Sequence, residues 1–291
     1  MKEILILSGK GGTGKTTVAS ALIRLSQVKA YGDCDVDAPN LHLLLGEEDL
    51  PAKKDYYGLA KASINPDLCT SCDLCRIHCR FKAIYVEETY IVDPIACEGC
   101  GVCQFVCPER AIEMVTNKDG DLILYKNKDR IFSTAQLKMG SGTSGLLVRE
   151  VKKQMKDQAR DASLAIIDGS PGLGCPVIAS ISGVDLVVIV AEPSISGISD
   201  MERIVKTTRK LGGAMAICIN KYDTNIERTL EIRDYCSKEK ITFLGQIPFD
   251  NQAVEAINMG KTIVDIDCKS GEAVREIYKN IMELMEVTYD N

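Results

Sequence analysis

Short apolar runs separated by polar segments recur along this chain, and they predict an α/β fold. Strands of a parallel sheet are covered on both faces, so their sequences are almost continuously apolar. Runs of this kind and length are too short for typical helices. The predicted buried strands are 3–7, 28–31, 164–168, 186–191 and 214–219.

Helical and hairpin patterns fill much of the space between these strands. Residues 18–27 follow the first strand with apolar positions at helical spacing, and an amphipathic helix is predicted over 146–160. Two shorter β-like runs, 122–125 and 130–135, predict a hairpin that returns to the same sheet. Residues 140–145 contain three glycines and predict a flexible loop, which is either a functional switch or a plain connector.

A cysteine-rich segment interrupts this pattern. Eight of the thirteen cysteines lie between Cys69 and Cys107, and removing residues 62–117 leaves one continuous α/β pattern. A chain of 291 residues has the length of about two average domains. We therefore predict a discontinuous domain, 1–61 and 118–291, with a second domain, 62–117, inserted into it.

The cysteine spacing inside the insert is that of a bacterial two-cluster ferredoxin. Each run reads C-x2-C-x2-C-x3-C, and the fourth cysteine of a run ligates the other cluster in such proteins. The flanking residues repeat as well, which predicts two half-folds that pair with each other. The resemblance assigns one [4Fe-4S] cluster to Cys69, Cys72, Cys75 and Cys107, and the other to Cys97, Cys100, Cys103 and Cys79.

Zinc binding and disulfide formation are the two other roles that clustered cysteines have. Zinc sites usually pair two C-x2-C units across a longer gap and do not need the trailing cysteine three residues further on. Disulfides are not expected, because the chain shows no signal peptide. The second run ends in Cys107-Pro108, as the ferredoxin pattern expects, whereas the first ends in Cys79-Arg80. This departure changes no ligand.

The first predicted strand leads into a glycine-rich loop that matches the phosphate-loop template. In this context the backbone N–H groups of the loop surround phosphates at a helix N-terminus. Lys15 would reach the β- and γ-phosphates, and Thr16 would bind Mg²⁺. The predicted nucleotide-binding residues of the loop are Gly11, Gly12, Thr13, Gly14, Lys15, Thr16 and Thr17.

A second lysine near the start of the loop, Lys10, resembles the deviant phosphate-loop group that includes MinD, the Mrp-type cluster carriers and the nitrogenase iron protein. The resemblance implies that ATP closes a dimer and that Lys10 reaches the partner's nucleotide. It also implies a doubly wound, mostly parallel P-loop NTPase sheet, here carrying an inserted α+β ferredoxin domain. Lys10 would then offset charge on the transferring phosphoryl group, as an arginine finger does.

Further site residues follow from the same resemblance. Asp35 would orient the attacking water, and Asp33 would support the Mg²⁺ shell. Asp168 ends a strand, as a Walker B aspartate does, and the Gly-Ser-Pro-Gly sequence after it resembles a switch that senses the γ-phosphate. Asn220 and Pro248 are the predicted adenine contacts. The predicted catalytic residues are Lys10, Lys15, Asp35 and Asp168.

Charge and hydropathy exclude several classes of function. The net charge of −6 argues against nucleic-acid binding, and no run of eighteen apolar residues could span a membrane. MinD attaches to membranes through a basic C-terminal helix, whereas residues 272–291 carry five acidic side chains, among them Asp290, against two basic ones. Anionic lipid would repel this segment. We therefore expect a cytoplasmic protein without membrane insertion.

Three functions from different classes remain open. The chain could be an ATP-gated electron carrier, an ATPase for iron–sulfur cluster assembly or metallocentre maturation, or a regulatory or partitioning ATPase that uses its clusters as a redox sensor. Cys175 lies at the offset of a bridging cysteine in nitrogenase-type iron proteins, but the second cysteine such a site needs is missing from 134–160. The expected cofactors are ATP or ADP, Mg²⁺ and two [4Fe-4S] clusters. The expected partners are a second copy or a paralogue, and a redox or metalloprotein partner.

Overall fold

The computed structural model describes residues 1–46, 50–127 and 129–287. Within these residues, thirteen strands and ten α-helices alternate along the chain. The strands are β1 (Lys2–Leu7), β2 (Ala30–Asp33), β3 (Ala52–Tyr57), β4 (Lys61–Ile64), β5 (Ile84–Val86), β6 (Tyr90–Val92), β7 (Ile112–Val115), β8 (Lys118–Lys126), β9 (Ile131–Leu137), β10 (Leu164–Asp168), β11 (Leu186–Ala191), β12 (Ala214–Asn220) and β13 (Thr242–Ile247). The helices are α1 (Lys15–Ser26), α2 (Leu41–Leu45), α3 (Leu74–Ile77), α4 (Val102–Val106), α5 (Ser144–Gln158), α6 (Cys175–Ile181), α7 (Ile195–Lys210), α8 (Ile226–Glu239), α9 (Asn251–Asn258) and α10 (Lys269–Val287).

Nine strands form one sheet in the order β13-β12-β11-β1-β10-β2-β9-β8-β3. The first seven of these run parallel, and β8 runs antiparallel to both of its neighbours. This is the mostly parallel α/β sheet that the apolar runs predict. The carboxyl ends of β1, β2 and β10 meet at one edge, where Asp168 is in register with both Ile6 and Asp33. Loops at this edge of a parallel sheet are the usual position of a ligand site.

Helices cover both faces of the sheet because β1 is apolar on both of its sides. Leu5 and Leu7 pack into one buried cluster, which includes residues of α5, α6 and α7. Ile4 and Ile6 point to the opposite face and pack into a second cluster, with α1 and α10. The two-residue alternation of a strand thus assigns neighbouring residues to different layers.

The predicted hairpin is present as β8 and β9, and β9 joins the parallel part of the sheet beside β2. The edge strand β3 has no counterpart among the predicted strands. Five of its six residues are partly or fully exposed, and Tyr56 alone is buried. An exposed edge strand does not need an apolar sequence, so hydrophobic pattern cannot identify it.

Between β3 and β8 the chain leaves the main sheet. Strand β4 pairs with β7, and β5 pairs with β6, in two small antiparallel sheets. The two halves repeat at an offset of 28 residues, which is the distance in sequence between Cys69 and Cys97. At the same offset, Asp73 and Gly101 have similar φ angles of +66° and +73°. The segment has its own buried cluster, which consists of Ala62, Cys75, Ala83, Ile84, Cys97 and Ile112.

The acidic C-terminal segment lies on α10. Glu272, Glu276, Glu283 and Glu286 are exposed on this helix, while Asp290 lies outside the described residues. In the described part of the chain, no helix is both long enough and apolar enough to cross a bilayer.

Candidate functional site

The glycine-rich loop connects β1 to α1 and requires glycine at two positions. Gly12 and Gly14 have φ of +80° and +93°, a region that disfavours other residues. A Cβ at Gly14 would lie 2.2 Å from the side-chain nitrogen of Asn220. That nitrogen donates a hydrogen bond to the Thr13 carbonyl (2.7 Å), so the end of β12 holds the loop from behind.

Lys15, the first residue of α1, is buried at the centre of the site. Its Nζ lies 2.5 Å from a carboxylate oxygen of Asp168 and 3.3 Å from the hydroxyl of Thr16. The other carboxylate oxygen of Asp168 is buried without a hydrogen-bond partner. Burial would lower the pKa of Lys15, but the carboxylates of Asp168 and Asp33 outweigh it and raise that pKa. The lysine is therefore held in its charged form.

Asp33 anchors the loop that carries Asp35. It is fully buried and accepts hydrogen bonds from the backbone N–H groups of Asp35 (2.9 Å), Asn40 (3.1 Å) and Leu41 (3.1 Å). Burial, with the nearby Asp168 carboxylate, raises the pKa of Asp33 to about 7. Burial also raises the pKa of Asp35. Three carboxyl groups thus share one lysine, an arrangement that favours an additional cation.

A cavity with an empty volume of about 650 Å³ lies beside the glycine loop. Asn220 and Pro248, the two predicted adenine contacts, both line it. So do apolar side chains of α9, and Lys221, whose Nζ donates to the Gly12 carbonyl (3.0 Å). A flat apolar ring with a few polar edges would suit such a lining.

Lys10 does not project freely from the loop. Its Nζ forms an ion pair with Glu192 (3.0 Å) and donates to the hydroxyls of Ser194 (3.3 Å) and Ser196 (3.1 Å). These residues lie at the start of α7, so the lysine rests on its own chain. Its side chain is about one third exposed, at 34%.

The segment after Asp168 connects the phosphate loop to α6. The N–H of Gly172 donates to the Ser8 carbonyl (3.2 Å), and the Ser170 hydroxyl donates to the Cys34 carbonyl. Cys175 is exposed at the start of α6. It packs so closely on α5 that a Cβ at Gly145 would lie 3.1 Å from the Cys175 Cβ.

The eight clustered cysteines line two separate cavities. The first cysteine cavity is lined by Cys69, Cys72, Cys75 and Cys107, and its empty volume, part of which is open to solvent, is about 340 Å³. The second cysteine cavity is lined by Cys79, Cys97, Cys100 and Cys103, and its empty volume, part of which is open to solvent, is about 350 Å³. In each cavity three cysteines of one run meet the fourth cysteine of the other run. The cysteines are therefore grouped across the two runs, and the binding of a cluster by each group stays a prediction.

Hydrogen bonds repeat the same symmetry. The Ala83 N–H donates to the Cys79 sulfur (3.4 Å), and the Ala111 N–H donates to the Cys107 sulfur (3.3 Å). Burial raises the pKa of the Cys75 thiol. Among residues 1–46, 50–127 and 129–287, no three His, Cys, Asp or Glu side chains converge tightly enough to hold a single metal ion.

With this geometry in place, the comparisons with known proteins assign the chain to a family. The sequence profile of the CobQ/CobB/MinD/ParA nucleotide binding domain (CbiA) matches residues 4–263. The chain belongs to this family. Membership accounts for the mostly parallel sheet and the phosphate loop, and it supports ATP binding and hydrolysis in general.

The MinD/ParA-type chain is similar to proteins with several different names. It is 32% identical to an uncharacterized protein of Methanocaldococcus jannaschii, over 97% of each chain. It is 24% identical to an iron-sulfur cluster carrier protein of the same archaeon, over 98% of this chain and 85% of that one. Among solved structures, MinD from Pyrococcus horikoshii OT3 in complex with Mg-ADP superposes with a TM-score of 0.60 at 20% identity, over 98% of both chains.

Two features, one at the nucleotide site and one beside the second cysteine cavity, are absent from the sequence-based prediction. Glu192, Ser194 and Ser196, the residues that hold Lys10, are distant in sequence, and their single signal is a serine at a helix N-cap. The sequence analysis also does not predict that Lys61, beside the second cysteine cavity, is buried. Lysine at the start of a short strand is normally exposed to solvent.

Proposed function

We propose that this MinD/ParA-type ATPase couples its nucleotide state to electron transfer through two [4Fe-4S] clusters held by an inserted ferredoxin domain, residues 62–117. The observation that carries the proposal is the crossed grouping of cysteines in two separate cavities. A cluster in either cavity would supply one-electron chemistry, at a potential that depends on charge, hydrogen bonding and solvent exposure.

The residues of the two cavities fit a cluster better than a single ion. Zinc holds sulfur ligands about 2.3 Å away, so its ligands must converge on one point. The pairing of the fourth cysteine of each run with the other run is instead the arrangement of a two-cluster ferredoxin. Four thiols around one cavity match the four ligands of a [4Fe-4S] cluster, with one thiol for each iron atom. The N–H groups of Ala83 and Ala111 would hold Cys79 and Cys107 in place.

In the nucleotide site we assign roles from position and charge. Lys15 would contact the phosphates, and Thr16, beside it, would bind Mg²⁺ with support from Asp33. Asp35 would orient the attacking water, because its carboxyl group is partly exposed at the same edge of the sheet. Asp168 would report the occupancy of the phosphate site through the residues that follow it.

We further propose that Lys10 acts in a nucleotide-dependent dimer of two copies or of a copy and a paralogue. Its present partners are Glu192, Ser194 and Ser196 on its own chain, and water still reaches the ion pair, which weakens it relative to a fully buried one. The triphosphate bound to a partner chain carries more negative charge than Glu192 and would attract the Lys10 ammonium group more strongly. The Lys10 ion pair with Glu192 would be a resting position.

Mixing two inactive variants tests this role. Lys10→Ala and Asp35→Asn chains are each expected to be inactive alone and to recover part of the activity when mixed. A mixed dimer contains one site with its own Asp35 and with Lys10 from the other chain. ATP hydrolysis by the mixture is the measurement, and a sizing column verifies that mixed dimers form. Mixed dimers without activity would show that Lys10 does not act across the interface.

The coupling between nucleotide and clusters has a structural route. The 140–145 loop contacts the second half of the insert: a Cβ at Gly140 would lie 2.8 Å from Ile95, and a Cβ at Gly142 would lie 2.8 Å from Glu98. At its other end, Gly145 packs against Cys175, a few residues beyond Asp168. A displacement of the segment that follows Asp168 could therefore reach the second cysteine cavity through the start of α5 and the loop before it.

Redox titration in different nucleotide states tests the proposed coupling. We expect at least one cluster potential, or the rate of reduction by a ferredoxin-type donor, to differ between ADP and a non-hydrolysable ATP analogue. A free-energy difference of about 1.4 kcal/mol corresponds to about 59 mV for a one-electron couple. The Lys15→Ala variant serves as the control, because nucleotide should no longer have an effect. Equal potentials and equal rates in every state would exclude the ATP-gated carrier.

A second function, cluster assembly or metallocentre maturation, is favoured by one comparison. A relative that matches 98% of this chain is named an iron-sulfur cluster carrier protein. Transfer of labelled iron and sulfide to an apo-ferredoxin distinguishes the two functions. Transfer that ATP accelerates would favour the carrier, whereas clusters that stay on the chain through many turnovers would favour electron transfer to a redox partner protein.

A further inference from the structure

The two cysteine cavities occupy equivalent places in the repeat but have different charged surroundings. Asp73 and Glu109 line the first cavity together with its four cysteines. Among the described residues that line the second, Glu98 alone is acidic. All three carboxylates are exposed or half-exposed, so water and salt weaken their influence.

A buried cation breaks the symmetry more strongly. Lys61, the first residue of β4, is only 5% exposed, and its ammonium group donates a hydrogen bond to the backbone carbonyl of Cys97. Cys97 is one of the four cysteines of the second cavity. The equivalent position in the repeat, 28 residues later, is Thr89, which is exposed and uncharged. The first cavity therefore has no lysine at the matching place.

The charge of Lys61 lacks a counter-ion in the described part of the chain. A carbonyl is its partner, and no carboxylate of residues 1–46, 50–127 or 129–287 forms an ion pair with it. A buried ammonium group without an anionic partner is costly. A group ligated by four thiolates carries negative charge, and it would supply the missing counter-charge at the second cavity.

We infer that Lys61 makes the second cysteine cavity the more easily reduced of the two. This inference rests on the proposed occupancy by [4Fe-4S] clusters. Reduction adds one negative charge, and a nearby buried cation stabilises the reduced form more than the oxidised form. A cluster held by Cys79, Cys97, Cys100 and Cys103 therefore has the higher reduction potential, so an electron added to the chain resides there first. The second cavity is also the one beside the 140–145 loop.

Removal of the charge tests the inference. In Lys61→Met, redox titration followed by electron paramagnetic resonance should show the higher midpoint potential lowered by about 59 mV or more, which is tenfold in the one-electron equilibrium. The lower midpoint should stay near its wild-type value. Lys61→Arg retains the charge and should retain both midpoints. The matched control is Lys82→Met, which removes an exposed lysine three residues after Cys79 and should shift either midpoint much less. An unchanged higher midpoint in Lys61→Met would overturn the inference.

A second measurement does not depend on the folding of that variant. Cys72→Ser and Cys100→Ser each alter a ligand of one cavity, so they assign the two wild-type midpoints to the cavities. The higher midpoint should be perturbed by Cys100→Ser; perturbation by Cys72→Ser instead would overturn the inference. Iron and sulfide analysis of the wild-type protein distinguishes failure of the inference about Lys61 from failure of the proposed function. If both clusters are present but their potentials have the opposite order, only the inference about Lys61 is refuted. If the wild-type protein contains no clusters, the proposed function is refuted as well.

Discussion

Protein isolated without oxygen is expected to contain about eight iron atoms and eight acid-labile sulfides per chain. The expectation follows from two cavities that each collect four cysteines from two different runs. Metal analysis by mass spectrometry and a colorimetric sulfide assay measure both numbers. Stoichiometric zinc without iron, after anaerobic reconstitution, would refute the cluster assignment.

Single-cysteine variants test the crossed grouping. Cys107→Ser should damage the cluster of Cys69, Cys72 and Cys75, although Cys107 belongs to the other run. Cys79→Ser should damage the cluster of the second cavity for the same reason. Cys175→Ser is the matched control, since Cys175 is exposed and lines neither cavity, and it should leave all eight iron atoms in place. Loss of iron in this control would favour a cluster shared between subunits.

Lys15→Ala is expected to lower ATP hydrolysis by about 100-fold or more, because the site loses its phosphate-neutralising cation. The same change leaves Asp168 buried without its partner, and breaking a buried ion pair typically costs about 3–5 kcal/mol. Thermal unfolding must therefore be measured in parallel. Lys15→Gln keeps a donor for Asp168 and separates the two effects: it should be folded and still inactive.

Asp35→Asn should bind ATP but hydrolyse it at least about 100-fold more slowly, if the carboxylate orients water. Asp37→Asn is the matched control, because Asp37 is exposed on the same loop. Nucleotide binding by calorimetry and phosphate release by a coupled assay give the two quantities. Turnover of Asp35→Asn at the wild-type rate would remove Asp35 from the catalytic residues.

Much of the fold could be predicted because the parallel strands are buried on both faces. Their apolar runs predict β1, β10, β11 and β12 closely. The same reasoning misses β3, whose exposed residues carry no periodic signal. It also places the start of α1 three residues late, since Lys15 and its neighbours are polar but begin the helix at the phosphate loop.

Likewise, only part of the candidate site could be predicted from the sequence. Local spacing predicts the phosphate loop and the four-cysteine groups, because these ligands are close in sequence or repeat at a fixed offset. Contacts between distant segments leave no such pattern. The ion pair of Lys10 with Glu192 joins residues 182 positions apart, and the hydrogen bond from Lys61 to Cys97 spans 36. The roles of the predicted site residues stay predictions until the variants are measured.

The ion pair between Lys15 and Asp168 has a consequence for nucleotide binding. Lys15 is already paired with Asp168, and Asp33 and Asp35 lie close by, so its attraction for an incoming triphosphate is reduced. On nucleotide binding, Lys15 would exchange Asp168 for the phosphates, and the carboxylates would then be available to hold Mg²⁺. Metal-free ATP brings no replacement cation. We therefore expect the magnesium complex of ATP to bind more tightly than free ATP.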